Sequence, residues 1–497
     1  MQITDTMSND LKGAELYQKV HRDFIGLDRT YKLADGRTTR RIYMDSTAST
    51  LMMGPAFRAA KRFLEHYSNT HSEMHFGAKI CTQGYDWVHE RVLSFVNADP
   101  DEYTCFFIGS GVTAGMNRMS RVFKQLRPRR NIVLVSIMEH HSNDLPHRKH
   151  GGQVIHIPLD THESNLGCVN LSVLEKYLDQ YSDQVNYVSV TGISNVTGIL
   201  NPINQVSALA HEYGTHVIVD AAQMAAHAPI HMSGHDDLTQ EIDALIFSGH
   251  KTYAPGSPGV VISRKSFLSA VEPDEVGGGM VDRVYQDSYI VKSTFPDREE
   301  AGTPNILGAI TLGASLEVLD RIGMDFVLEK NLAMTNSLLE KMVELDGIII
   351  YGDTNTITCP RAASISFNIQ DLDHGLVAAV LNDYHNIAVR NECFCAHPYV
   401  EKMLEQTHAS QIESVRETEN PWHIEPWMGM VRVSLGLYNT EDDIKQFIDA
   451  LVDIIENKDH YKNKYKVNPK GDYVHKEFNF SHEHYFHLPS IINEEIL

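Results

Sequence analysis

The sequence predicts an α/β protein: a large domain on a mostly parallel sheet covered by helices, followed by a smaller α+β domain. Two observations carry this. Short apolar runs rich in β-branched residues alternate with amphipathic stretches from about residue 41 to 310. The polar and glycine-rich motifs fall where those runs end, and in such sheets ligands sit beyond the carboxyl ends of the strands.

Taken in order, residues 1–40 are polar and mixed; they read as a helix and a connector packing on the small domain. Within the large domain, 41–310, strands are expected at 104–108 (TCFFI), 132–137 (IVLVSI), 185–191 (VNYVSVT), 216–221 (HVIVDA), 243–247 (DALIF) and 259–263 (GVVIS). Helices are expected between them, over 55–67, 113–126 and 202–213 among others. Residues 306–345 read as long helices, 362–369 and 430–435 as strands and 440–456 as a helix, which gives a small domain over 311–456. The polar stretch 399–428 is longer than most connections and points to a functional or ordered excursion. The tail, 457–497, is polar and contains several histidines.

Composition narrows the class. The formal charge of −22 argues against nucleic acid or an anionic membrane as partner, since both are polyanions. No apolar run is long enough to span a bilayer, and the first twenty residues lack the pattern of a signal peptide. Six cysteines (81, 105, 168, 359, 393 and 395) in a chain of 497 residues are no disulfide framework, so reduced thiols and a cytoplasmic location are expected. Only Cys393 and Cys395 sit close together, and C-x-C is not the spacing of a structural zinc site. His482, His484 and His487 do not share one helical face, so they read as a solvated tail or a dimer contact, and no metal is expected.

The chemistry gathers at strand ends. DALIFSGHKTYAPGSPGV places Ser248, His250 and Lys251 after an apolar strand and before a cramped Gly/Pro loop. A lysine there can be desolvated, which lowers its pKa and makes it a competent imine former. HVIVDAAQ ends a strand on Asp220, a carboxylate able to pair with a protonated pyridine nitrogen, with Gln223 three residues on. In FFIGSGVTAGMN, Gly111, Val112 and Thr113 open a helix whose N-terminus suits a phosphate. SIMEHHSN supplies His140, which could stack on a ring, and SNVTGILNP supplies Asn195. Each feature alone is ordinarily a turn, a cap or a surface residue; their joint order is what points to pyridoxal 5′-phosphate.

In that order the chain resembles the class V aminotransferase group of fold-type I pyridoxal phosphate enzymes, and within it the cysteine desulfurases and selenocysteine lyases, from about Tyr43 to Leu451. The resemblance implies Lys251 as the lysine joined to the cofactor, Asp220 at the pyridine nitrogen, Gln223 at the phenolic oxygen and His140 over the ring. It implies Thr113, Ser248 and His250 on the phosphate. EAGTPN would bring Thr303 to the phosphate of a neighbouring subunit, hence a homodimer. YMDSTAST (43–50) matches the substrate-side loop, and His71 and His75 match family positions, with Ser72 where an arginine is common.

At the substrate end, VRVSLGLYNTEDDI matches the family's C-terminal motif, with Arg432 on the α-carboxylate of the substrate. In AVRNECFCAHPYV, Arg390 and Cys395 match the arginine and the nucleophilic cysteine of desulfurases. The usual Gly-His-His before that cysteine is here Glu392-Cys393-Phe394, and C-F-C is similar to the sulfurase domain that supplies the molybdenum cofactor. The resemblance implies that L-cysteine gives alanine and a persulfide on Cys395, with a protein as possible sulfur acceptor and Cys393 as a thiol that could capture the persulfide. The competing reading keeps the cofactor and drops the thiol: a C–S β-lyase, aminotransferase or epimerase of another amino acid.

Overall fold

The computed structural model describes residues 11–70, 72–405 and 429–496. Its central sheet has seven strands: β1 (Tyr103–Ile108), β2 (Ile132–Ser136), β3 (Gln153–Ile157), β4 (Val185–Thr191), β5 (His216–Asp220), β6 (Ala244–Ser248) and β7 (Gly259–Arg264), in the order β1-β7-β6-β5-β4-β2-β3. All pairs from β6 to β3 are parallel, and β7 runs antiparallel to both neighbours. Every residue of β2, β4 and β6 is buried because both faces of the sheet are covered; β2 and β6 are apolar up to their final serine, while β4 also buries Asn186, Ser189 and Thr191.

The helices used below are α1 (Gly13–Val20), α2 (Phe76–Phe95), α3 (Gly111–Leu126), α4 (Ile306–Ile322), α5 (Met324–Val343), α6 (His374–His385) and α7 (Glu441–Glu456). The period-two pleat divides the sheet's side chains between two cores. Ile246 and Val261 face Met116, Met119 and Phe123 of α3, while Leu245, Phe247 and Val260 point the other way, into the cluster that holds Leu312 and Leu316 of α4. The expected long helices over 306–345 are two, separated at Gly323, whose φ of 90° ends one helix and lets the next leave in a new direction.

A second sheet is antiparallel throughout. It contains β8 (Ile348–Ile350), β9 (Ser364–Ile369), β10 (Arg390–Glu392) and β11 (Met430–Ser434), in the order β8-β9-β11-β10. Its core draws on β9, β11, α6 and α7. Thr440 caps α7 through a reciprocal box with Asp443, two orphan donors satisfied at once.

The N-terminal residues touch both layers. Tyr17 of α1 meets Phe326 edge-on at 5.5 Å. The hairpin Thr30–Lys32/Thr38–Arg40 lies against α6 and α7, with Ala34 N–H donating to Asp383 O at 2.8 Å and Arg40 paired with Asp443 at 2.8 Å. Ile42–Tyr43 then pairs in parallel with Ile387–Ala388, and Ser434 N–H donates to Met44 O at 2.8 Å.

Phe367 of β9 is fully buried and meets Phe447 of α7 at 5.9 Å and 81°. Phe367→Ala is expected to lose about 3–5 kcal/mol, read as a lowered midpoint in denaturant unfolding.

Candidate active site

Strands β2, β4, β5 and β6 end along one edge, and a cavity of ≈ 440 Å³ opens there. Ten residues link β6 to β7, and Lys251 lies in the short 3-10 turn that begins this link. Burial pushes its ammonium down to about 8; the Asp220 carboxylate opposes that shift, and the Arg432 guanidinium adds to it. Asp220 closes β5 and is buried. Burial raises its carboxyl to about 6, held from rising further by the Ala222 N–H at 2.8 Å and by the charge of Lys251. At neutral pH the cavity floor therefore carries a carboxylate, facing an amine close to its own titration point.

Two imidazoles line the cavity uncharged. Burial, then Lys251, His141 and Arg432, push His140 down to about 3, and its Nδ1 accepts from Ser142 N–H at 3.0 Å. Burial and Lys251 hold His250 near 4, with Nδ1 at 3.3 Å from Ser49 Oγ. A neutral flat ring can lie on an aromatic system without adding charge. Gln223 Nε2 donates to Thr47 O at 2.9 Å, and Asn195 Nδ2 donates to Phe394 O at 2.9 Å.

The glycine turn after β1 is built for close approach. Gly111 has φ 59°, and a Cβ there would lie 2.4 Å from Ser248 Oγ. Val112 N–H donates to that same oxygen at 2.9 Å, and Gly111 N–H to Gly109 O at 2.6 Å. Two of the three amides assigned to a phosphate thus have protein partners here, while Thr113 Oγ1 meets Ser142 Oγ at 2.7 Å. Ser257, on the cavity wall, has a buried hydroxyl with no partner among the described residues. Sequence reading did not single it out; its only signal is a serine between Gly256 and Pro258 in the lysine loop. Thr303 lies exposed outside this cavity, its Oγ1 accepting from Asn69 Nδ2 at 3.4 Å.

The second sheet brings Arg432 against Asn195, which lines the cavity. Arg432 of β11 is buried; its Nη1 donates to Asn195 O at 2.8 Å, its Nη2 reaches Asp45 Oδ1 at 3.3 Å, and its Cζ lies over the Phe394 ring, 4.7 Å from the centroid. Burial lowers its pKa to about 10 against the pull of Asp45, so it stays charged. Its Nε has no partner among the described residues. Arg390 stands opposite Arg432 in register, largely exposed, 3.9 Å from Asp45 Oδ2. Asp45 is the residue that sequence reading left unassigned: it sits between the two arginines, and burial lifts its carboxyl.

Cys395 is exposed in the turn after β10, and a negative charge on it would favour the charged forms of both Lys251 and Arg432. Cys393 is buried, and burial with nearby Glu401 and Glu392 pushes its thiol up to about 12, which leaves it a poor nucleophile. His75 caps α2, accepting from Ala78 N–H at 3.2 Å, and lies outside the cavity; His71 falls outside the described residues. Of the 399–428 stretch, residues up to 405 are helical and 406–428 lie outside the described residues. Among the described residues no helix is long and apolar enough to cross a membrane, and no three His, Cys, Asp or Glu side chains are grouped to hold a metal.

Known proteins agree with this architecture. The pattern of the family described as aminotransferase class-V matches residues 42–447. A "Probable cysteine desulfurase" of Halalkalibacterium halodurans is 30% identical over 430 residues, 84% of this chain and 93% of that one. The "Cysteine desulfurase" of Cronobacter sakazakii is 30% identical over 419 residues, covering 83% and 93%. Among solved structures, the apo cysteine desulfurase of Thermococcus onnurineus superposes with a TM-score of 0.71 at 28% identity, covering 84% of this chain and 95% of that one. An Escherichia coli cysteine desulfurase in an S-sulfonic acid form gives 0.67 at 26%, also covering 84% and 95%. The chain belongs to the class-V aminotransferase family, whose enzymes depend on pyridoxal 5′-phosphate.

The cavity fits that cofactor. It offers a buried carboxylate, a lysine of lowered pKa, a neutral imidazole and a glycine turn beside a partnerless buried hydroxyl.

Removing Asp45 would leave the buried Arg432 charge without its carboxylate. Asp45→Ala is expected to cost about 3–5 kcal/mol in denaturant unfolding, with much of the loss recovered when Arg432→Met is added.

Proposed function

We propose that this chain is a pyridoxal phosphate-dependent cysteine desulfurase that converts L-cysteine to alanine and leaves a persulfide on Cys395. The observation that carries the reading is that Asn195, which lines the cavity beside Lys251, holds both Arg432, whose Nη1 donates to its carbonyl at 2.8 Å, and Phe394, the residue before the exposed Cys395, whose carbonyl accepts from its amide at 2.9 Å. In this reading Lys251 holds the cofactor, with Asp220 at its ring nitrogen, His140 against its face and Gln223 at its phenolic oxygen. Gly111, Val112, Thr113, Ser248 and His250 cradle its phosphate, joined by Ser257. The bound cofactor supplies an electron sink for the pair released at the substrate carbon.

The protein's own groups do the rest. Arg432 binds the substrate carboxylate, a planar guanidinium being suited to a carboxylate; its Nε is without a partner among the described residues, while Nη1 and Nη2 are held by Asn195 O and Asp45. Asn195 and Arg390 flank that position. The Lys251 amine, with a pKa of about 8, can both take the α-proton and return one. The Cys395 thiolate attacks the substrate sulfur; an S–S bond forms, the substrate C–S bond breaks, and the carbon takes a proton on the way to alanine. Holding thiolate and sulfur at reacting distance is what the wall from Arg432 to Phe394 contributes.

Thr303, exposed and outside its own cavity, together with Met74 and Phe76, which are 92% and 88% exposed, supports a homodimer in which Thr303 reaches the partner's site. A reducing cytoplasmic setting suits six free cysteines, and a protein would take the persulfide sulfur onward.

Product analysis with L-cysteine and a thiol reductant tests the reading. Alanine with sulfide is expected, falling by about three orders of magnitude or more in Cys395→Ala. Pyruvate with ammonia, unaffected by Cys395→Ala, would instead mean β-elimination. A second expectation concerns pH. Only the neutral amine forms an imine, so the rate at which apoprotein captures the cofactor should rise as pH climbs through about 8, the lowered value of Lys251, rather than near the ordinary lysine value. Borohydride should trap no covalent cofactor in Lys251→Ala.

A further inference from the structure

The turn that carries Cys395 adopts a backbone that its residues disfavour. Glu392, Phe394 and Cys395 have φ of 91°, 51° and 54°, left-handed values at three non-glycine positions out of four. Such conformations are disfavoured for residues with a Cβ and persist where neighbours over-determine them. Two of the holds are Asn195 Nδ2, from the cavity wall, on Phe394 O, and the Arg432 guanidinium against the Phe394 ring. The others converge on one residue outside the cavity, His141.

His141 N–H donates to Cys395 O at 2.7 Å. Its Nε2 accepts from His397 N–H at 3.3 Å and lies 3.0 Å from His397 Nδ1. The two rings are nearly parallel, at 6° with centroids 4.9 Å apart. Because a backbone N–H can only donate, His141 Nε2 must carry a lone pair, so His141 is neutral here with its proton on Nδ1, and His397 Nδ1 is a donor. His141 directly follows His140, so one short turn binds both the imidazole on the cofactor side and the residues on either side of Ala396.

We infer that His141 and His397 form a clamp that holds the Cys395 turn in its reactive position, His141 being a positioning residue and not a catalytic one. This rests on the reading of Cys395 as the sulfur acceptor. The charged and titratable groups facing His141 are His140 beside it, Asp144 and Arg148 on the following turn, and His397 across the gap. Burial, then His397, push the imidazolium of His141 down. An opened turn returns His141 to water and its ordinary value near 6.5. The open state therefore binds more protons, and the clamp is intact above about pH 6.5 and weakens as pH falls below it.

The test is amide hydrogen exchange of the 393–397 peptide in the cofactor-loaded enzyme, corrected for intrinsic exchange. At pH 7.5, His141→Phe should exchange about tenfold faster or more, with the visible cofactor band retained. His397→Phe should speed exchange several-fold, by roughly half that free energy, while His397→Gln, whose amide can donate to the same nitrogen, stays within about twofold of the parent. In the parent, exchange should quicken as pH drops through about 6.5, and in His141→Phe that dependence should vanish. Unchanged exchange in both phenylalanine variants, or the same pH dependence with and without His141, would overturn the clamp. Turnover separates the two ideas. Loss of the clamp in His141→Phe lowers kcat with little change in KM for L-cysteine, whereas a parent enzyme that makes no alanine defeats the desulfurase reading while the exchange data still decide the clamp.

Discussion

An amine and a carboxylate, both largely stripped of water, face one another at the ends of two neighbouring parallel strands. Burial drives Lys251 down and Asp220 up, and each restrains the other, so the pair sits where one is ionised and the other near its titration point at neutral pH. That balance needs β5 and β6 side by side and pointing the same way, which parallel pairing provides. It also needs the lysine to leave its strand in a tight turn. The return strand β7, wedged between β1 and β6, supplies this, and a Cβ on its first residue, Gly259, would come within 2.7 Å of Gly111 Cα. The glycine turn and the lysine loop are thereby locked to each other.

A third charge keeps the pair from being a private matter of one sheet. Arg432 reaches over from the antiparallel layer, and its field lowers Lys251 further. Its own charge is tolerated because Asp45 and the Asn195 carbonyl meet it. Asp45 is drawn from the N-terminal segment, Asn195 from the turn after β4, and Phe394 from the turn after β10. One buried guanidinium ties together four separate stretches of chain, its own included.

Much of this was legible in the sequence, for a physical reason. Buried parallel strands are short apolar runs, and their carboxyl ends are where ligands sit, so Asp220, Lys251, His140 and Asn195 could be read from their place after such runs and are brought to one cavity. What stayed hidden lacks a local signal. β3 is a half-exposed edge strand interrupted by His156, and β8 and β10 span three residues each, too short for a period. Asp45 looks like any acidic residue until the fold sets it beside Arg432. The left-handed turn at 392–395 contains no glycine to announce it, and the pairing of His141 with His397 joins residues 256 apart. Cys393 and Cys395 look equivalent in the sequence; burial raises the thiol of one and leaves the other exposed.

The strip from Ile42 to Thr47 crosses from one sheet to the other. It pairs with Ile387–Ala388, accepts from Ser434 N–H, and offers Thr47 O to the amide of Gln223. The nearest of these partners in the second sheet is made more than three hundred residues later. A nascent chain can therefore complete every strand of the central sheet and still have an unfinished pocket, whose N-terminal wall waits for residues 387–388 and 434. Because loop closure over such a span is entropically slow, assembly of the binding site is set to trail assembly of the scaffold.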